Sequence, residues 1–509
     1  MNIESLLRES DPTLEVRVPE PNLLDARMIS GSSTIESSTR TSAIHQSAMW
    51  RVVSIPHGRI KRPALLALFA VLVTAAIVVP LAIGRTSPPQ TNVTPGVSAP
   101  IPGVWSLAGY ISQSGWQLNS ASGPLPTTQQ VTTQLSCPTS TTCYSAGVDN
   151  RNVHKNSQGV ISVTHDGGAS WQQSLAPGGD GTYFYGISCP AADTCMVVGD
   201  VSNTNTNPLL YTTTNGGVSW TSLPMPGLDE VPVFLSCATT VECATIGLMQ
   251  TSPAPTPVAY FTVNGGQSWT TSTLPPSYVP SGTSETALDC FPDGRCVAAG
   301  VSNIQTSATQ GTASMIYSDN GGASWAPATV PSVPGSGVVS CADDTHCVSI
   351  ESANDGNGYG VASGELVTSD GGMTWTAMPA TGLESPNASV PMSIDSISCP
   401  TDADCWASAH LIESECNGTC PYVPDQAVML ATSNGGLTWT NEPLPTPPNA
   451  SLQYGGVYPV NCISDANCRA VGVLELTKAA SDAGIPSVQQ DVVLTLTGGP
   501  TSDTNDAPS

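Results

Sequence analysis

Two short patterns recur along most of this chain, and their recurrence constrains its fold more than any other feature. The stretch Cys189 to Trp220 holds both of them, a Cys-x5-Cys pair followed by Thr213-Thr-Asn-Gly-Gly-Val-Ser-Trp220. A self-similar period of about fifty residues is the mark of propellers, solenoids or arrays, because each unit can bury its apolar face only against the next copy.

The cysteine pattern occurs seven times, as Cys137/Cys143, Cys189/Cys195, Cys237/Cys243, Cys290/Cys296, Cys341/Cys347, Cys399/Cys405 and Cys462/Cys468. Each pair follows one β-type run and precedes another, as in Ile187-Ser-Cys189 and Cys195-Met-Val-Val-Gly199. The cysteines therefore sit where two antiparallel strands enter a hairpin, within bridging distance. An eighth pair, Cys416 and Cys420, lies outside the repeat and is expected to staple an inserted loop. Five-residue gaps and few neighbouring histidines fit zinc poorly, so the 16 cysteines predict disulfides and an oxidising compartment, with no metal and no cofactor.

The second pattern, [Ser/Thr]-x-[Asp/Asn]-x-Gly-x-[Ser/Thr]-Trp, occurs six times and ends on Trp171, Trp220, Trp269, Trp325, Trp375 and Trp439. Its third position is Asp166, Asn215, Asn264, Asn320, Asp370 or Asn434, a short side chain able to cap a turn while glycine supplies positive φ. These stretches resemble the Asp-box, or BNR, repeats of sialidases, other glycoside hydrolases, sortilin-type receptors and the photosystem II assembly factor of cyanobacteria and chloroplasts. The resemblance implies an all-β β-propeller, and the seven cysteine pairs, with four strands per repeat, count it as a seven-bladed β-propeller of four-stranded antiparallel blades over residues 104–500. Within each blade, strand A ends at the first cysteine, B starts at the second, C runs into the box, and D starts at its tryptophan. The seventh repeat lacks a box and its Trp, so an N-terminal strand near Trp116 is expected to supply the missing D strand and close the ring.

Ahead of the propeller, residues 1–62 mix Pro, Ser, Thr and charge and read as a largely disordered cytoplasmic tail. Residues 63–84 contain an apolar run, Pro63 to Ile83, of the length that spans a bilayer as a helix. Arg51, Arg59, Lys61 and Arg62 precede it and only Arg85 follows closely, which orients it as a single-pass type II anchor of the plasma membrane, propeller outside. Residues 85–103 read as a Pro-rich stalk and 501–509 as a disordered tail.

Composition narrows the partners. Residues 86–509 hold five basic side chains against 32 acids, a surface that repels nucleic acid. The long connections between strands B and C of blades 5 and 6 are acidic and aromatic, and Glu351, Asp355, Tyr359, Glu413, Glu415 and Tyr422 form a candidate binding patch there for a cation or a sugar. Sialidase chemistry needs an arginine clamp on a carboxylate, and the propeller region offers only Arg151, Arg295 and Arg469, two of them beside hairpin cysteines. No catalytic motif stands out, so no catalytic residue is assigned. The expected function is a membrane-anchored extracellular module that binds a protein or cell-envelope glycan. A non-sialidase glycoside hydrolase using two loop carboxylates is the alternative.

Overall fold

The computed structural model describes residues 104–111, 130–149, 158–174, 181–201, 208–224, 230–249, 256–280, 287–302, 311–354, 360–385, 392–411, 426–448, 450, 452–476 and 489–497. Among them, seven antiparallel sheets follow one another along the chain. Blade 1 comprises Gln130–Ser136, Cys143–Asp149, Gln158–Thr164 and Gln172–Ser174, and blade 2 repeats the order with Thr182–Ala191, Thr194–Val201, Pro208–Thr213 and Thr221–Ser222. Blade 4 differs in having strand A in two pieces, Val279–Pro280 and Leu288–Cys290, both paired to Cys296–Ser302. Blade 5 is built from Ser336–Cys341, Cys347–Asn354, Gly360–Thr368 and Thr376–Met378. The seven-bladed, four-stranded reading of the sequence holds. The membrane-span residues lie outside the described residues, among which no helix is long and apolar enough to cross a membrane.

Strands B and C are covered on both faces. Gln158–Thr164 is buried at every position after the first, so even Ser162 and Thr164 are enclosed and the burial does not alternate as in a half-wet strand. The core lies between blades: Tyr144, Ile161 and Val163 of blade 1 pack with Phe184, Val197, Tyr211 and Trp220 of blade 2. Phe184 meets Tyr211 edge-on, ring centroids 6.1 Å apart.

The last blade corrects one expectation. Its strands Leu452–Ser464, Asn467–Leu476 and Gln489–Thr497 are completed by Val104–Tyr110, from the N-terminal side of the ring. The ring is thus closed by an N-terminal strand, but by one centred upstream of Trp116, which lies outside the described residues. Register gives the reason. In blade 1, Val163 faces Gln172, the residue after the box tryptophan Trp171. In blade 7 the corresponding residue, Thr495, faces Ser106, so Trp105 takes the place of a box tryptophan and is 2% exposed. Gly109 permits the close approach to blade 1, since a Cβ there would lie 2.5 Å from the Gly168 carbonyl oxygen.

A belt of hydrogen bonds ties the A strands together. The backbone N–H of the first cysteine of each pair donates to the side chain that precedes the first cysteine of the previous blade. Cys189 donates to Ser136 Oγ (3.1 Å), Cys237 to Ser188 (2.9 Å), Cys290 to Ser236 (3.0 Å) and Cys341 to Asp289 Oδ2 (3.1 Å). Cys399 donates to Ser340 (3.0 Å), Cys462 to Ser398 (2.9 Å) and Cys137 to Asn461 Oδ1 (3.2 Å), which closes the circle.

Candidate functional site

All seven hairpin cysteine pairs are bridged, with Cα–Cα distances between 3.9 and 4.1 Å. The bridges lie deeper than the mouth of a surface hairpin would place them. The second cysteine of each pair, Cys143, Cys195, Cys243, Cys296, Cys347, Cys405 or Cys468, is no more than 4% exposed. The reason is that this cysteine opens strand B, whose side chains are enclosed between blades. Cys243 packs with Met196 and Leu210 of blade 2, Cys405 with Val338 and Val348 of blade 5, and Cys468 with Trp105 and Leu496. These cysteines are therefore core residues of the scaffold, and Cys347, Cys243 and Cys296 meet the surface only in the walls of the clefts between blades. Cys416 and Cys420 lie outside the described residues.

Each of the six boxes folds alike. In the second, Thr213 Oγ1 donates to Asn215 Oδ1 (2.9 Å) and accepts the Gly217 N–H (3.0 Å), while Asn215 Oδ1 accepts the Ser219 N–H (3.0 Å). Both glycines have positive φ, 72° at Gly216 and 79° at Gly217, which a side chain would oppose. The first box glycine then donates to the A–B turn of its own blade, as Gly216 does to the Asp193 carbonyl (3.0 Å). Disulfide hairpins and boxes therefore share one face of the ring.

Of the residues expected to form a loop patch, Glu351 is placed elsewhere. It lies inside strand B of blade 5, with its side chain 0% exposed. Asp355, Tyr359, Glu413, Glu415 and Tyr422 lie outside the described residues. The repeat explains the burial: four residues past the second cysteine the other blades carry Gly147, Gly199, Gly247, Gly300, Ala409 and Gly472. At Gly199 a Cβ would collide with strand A, where Phe184 packs over it. In blade 5 the pair is inverted, with Gly337 on strand A opposite Glu351 on strand B, and the glycine makes the room the carboxyl fills. Glu351 Oε1 accepts from Ser349 Oγ (2.7 Å), and Oε2 has no hydrogen-bond partner. Burial pushes the carboxyl up to about 7, against the Ser349 hydrogen bond.

Glu365, which motif reading passed over, is the second such group. It stands three residues before the box threonine, where the other blades have Ile161, Leu210, Ala259, Met315, Met429 and Val493. Its Oε2 accepts the Trp439 Nε1–H of blade 6 (2.8 Å), and Oε1, against Gly436, has no partner. Burial raises it to about 8, with the Trp439 bond opposing. Aligning the repeats in columns would have exposed both glutamates as the odd members. Glu351 and Gly364 are register partners, and so are Ile350 and Glu365, so the two carboxyls point to opposite faces of blade 5.

Two clefts open between blades on the disulfide face. One, of about 250 Å³, lies between blades 5 and 6, and His346, Val348, Thr368, Thr374, Thr401, Asp402 and Gly435 line it. The other, of about 230 Å³, lies between blades 3 and 4 beside Glu242, Ala244, Asp293, Asp319 and Gly321. The first cleft mixes hydroxyls and the Asp402 carboxylate with Ala342, Val348 and Val367, and the second sets Glu242, Asp293 and Asp319 around a more apolar wall of Ala238, Ala244, Val263, Phe291 and Pro292, a mixture suited to binding. Two of the arginines that fail the sialidase pattern, Arg295 and Arg469, serve the scaffold, and Arg151 lies outside the described residues. Arg295 Nη1 donates to the Asp370 carbonyl in the box of blade 5 (3.0 Å), and Arg469 reaches the Gly167 (2.8 Å) and Ser140 (3.0 Å) carbonyls of blade 1. Among the described residues, no three His, Cys, Asp or Glu side chains group as metal ligands. His410 Nδ1 pairs with Asp395 Oδ2 at 2.8 Å, both side chains largely buried.

No family model matches the chain, and no curated protein matches it. Among solved structures it is similar to YCF48 from Cyanidioschyzon merolae, at 16% identity over 77% of this chain and 98% of that one, TM-score 0.44. The β-propeller domain of the Trilobed protease from Pyrococcus furiosus aligns at 6% identity over 72% and 95%, TM-score 0.42. A Hadza microbial sialidase aligns at 12% identity over 67% and 72%, TM-score 0.39. The assignment of a seven-bladed ring stands on the strand pairing of this chain itself.

Proposed function

We propose that this chain is a membrane-anchored extracellular propeller that binds a protein or cell-envelope glycan and carries no chemistry of its own. The observation that supports the reading is the pair of clefts opening between blades on the disulfide face, each mixing carboxylates with apolar side chains, where box turns and bridged hairpins hold the walls. The bridged cysteine pairs favour an oxidising compartment, and the apolar run from Pro63 to Ile83 favours an anchor. The test has two arms. Protease added to intact cells should digest the propeller and spare the first 62 residues, and the reverse pattern would refute the topology. The purified chain, applied to glycan and peptide arrays, should retain ligands unchanged. Hydrolysis of a retained glycan would refute the reading in favour of the hydrolase.

A further inference from the structure

Among the described residues, a tyrosine or arginine side chain from one blade donates a hydrogen bond to a backbone carbonyl on the disulfide face of the next at three junctions. Tyr144 Oη donates to the Ala192 carbonyl (2.7 Å), Arg295 to Asp370, and Arg469 to Ser140 and Gly167. Tyr144 and Arg469 are the residues directly after their second cysteines, and Ala192 and Ser140 each lie three residues past a first cysteine. The repeat therefore builds the same acceptor in successive blades, and the preceding blade supplies the donor.

At the junction of blades 5 and 6 the acceptors are in place without that donor. The residue after the second cysteine is Val348, which has no polar group. The counterparts of Ser140 and Gly167 are Asp402 and Gly435, and both line the cleft. Their spacing is conserved within the molecule: a Cβ on Gly435 would lie 3.0 Å from the Asp402 carbonyl oxygen, against 3.4 Å for Gly167 and Ser140. Glu365, 1% exposed, turns its unpartnered Oε1 against Gly436, the residue after Gly435. The Asp402 carboxylate and Thr374 Oγ1, which gives its own proton to Asp370, add acceptor oxygens to the wall, whereas the Thr368 and Thr401 hydroxyls beside them are already engaged in their turns.

We infer that the cleft between blades 5 and 6 receives the guanidinium of an arginine side chain from a partner polypeptide, in the place that Arg469 fills from within the chain between blades 7 and 1. A planar, five-donor fork suits several oxygens set at fixed angles better than a compact ammonium does. The formal charge of −25 favours the approach of a basic segment to the chain. The inference rests on the binding reading above and names the chemistry of the partner.

The test uses the full-length chain and a fluorescent Gly-Arg-Gly peptide, with the citrulline peptide as its uncharged isostere, read by anisotropy. The arginine peptide should bind at least roughly tenfold tighter than the citrulline peptide, as a charge-assisted contact requires. Val348→Arg, which supplies a guanidinium from within, should abolish that binding and keep a cooperative melt. Asp402→Asn should weaken it several-fold. Equal affinity for the two peptides, or undiminished binding in a folded Val348→Arg chain, overturns the inference. Should Val348→Arg not fold, unchanged affinity in both Asp402→Asn and Thr374→Val overturns it instead. Retention of other ligands on the arrays, with no arginine preference, would sink this inference and leave the wider binding reading standing.

Discussion

The side-chain oxygen of Asn461 accepts the backbone N–H of Cys137 at 3.2 Å, joining the seventh blade to the first. Five other blades place serine at this position and one places Asp289, so Asn461 is the belt's variant at the seam where the chain itself does not run on. Asparagine reaches further than serine, which suits the junction made by a strand arriving from the N-terminal side. Asn461→Ala should lower stability by about 1 to 2 kcal/mol, the cost of leaving a part-buried N–H without its acceptor. Asn461→Ser should recover part of the loss. Thermal denaturation of the three proteins side by side checks this, and equal melting temperatures would remove the belt's role at the seam.

Trp105 carries a second prediction. Its register with Leu496 places it as the seventh blade's counterpart of the box tryptophans, packed with Trp406, Leu452 and Leu494. Trp105→Ala should destabilise the ring by roughly 3 to 5 kcal/mol, as expected for truncating a buried tryptophan. Because closure depends on this strand, proteolysis near residues 489–497 should accelerate in the variant. A melting temperature within a degree of the parent would contradict the assignment.

The repeat made most of this fold legible. Cysteine pairs fixed the A–B hairpins, boxes fixed the C–D turns, and the missing box of the seventh repeat announced a closing strand. The location of that strand was not legible, because Trp116 offers the better local likeness to a box tryptophan whereas the choice is made by pairing with Val492–Thr497, a contact nearly 400 residues away in sequence. The candidate site was read less well. Glu351 looks like loop decoration beside Asn354 and Asp355, and only the register, which sets it opposite Gly337, shows that it is interior. The inter-blade clefts were invisible for a similar reason: they arise where Val348 and Ala244 are too short to fill a junction that Tyr144 and Arg469 fill elsewhere, a property of two blades together.

Reduction of the hairpin disulfides gives a third prediction. Each bridge joins cysteines six apart in sequence, and a loop of that size contributes roughly 2 kcal/mol in the chain-entropy account. The double substitution Cys189→Ala and Cys195→Ala, which places no hydroxyl in this buried position, should lower the unfolding free energy by at least about that amount. Global reduction should lower the melting temperature far more, because every blade loses its crosslink. If thiol reductant leaves the melt unchanged, the bridges contribute nothing to stability and the compartment argument loses its physical basis.

The buried acids predict an unusual pH dependence. Burial raises Asp289 to about 6, Glu351 to about 7 and Glu365 to about 8, all above their ordinary values of 3.8 or 4.5. Between those ordinary values and the raised ones the folded chain holds protons that the unfolded chain has released, so stability falls as pH rises. The fall should be steepest from about pH 4.5 to 6, where the three windows overlap, and should end near pH 8. Each group contributes up to about 1.4 kcal/mol per pH unit within its window. Asp166, held down to about 2 by the Ser170 hydrogen bonds, stays ionised throughout and adds nothing to this slope. The melting temperature should therefore be higher at pH 5 than at pH 8. Glu351→Gln and Glu365→Gln remove the charge and keep the shape, and Glu365→Gln keeps an acceptor for the Trp439 indole. Both should flatten the profile and raise the melting temperature at pH 8 with little change at pH 5. A profile that rises towards pH 8, or one that neither substitution alters, would show that these carboxyls are ionised and accommodated in the fold.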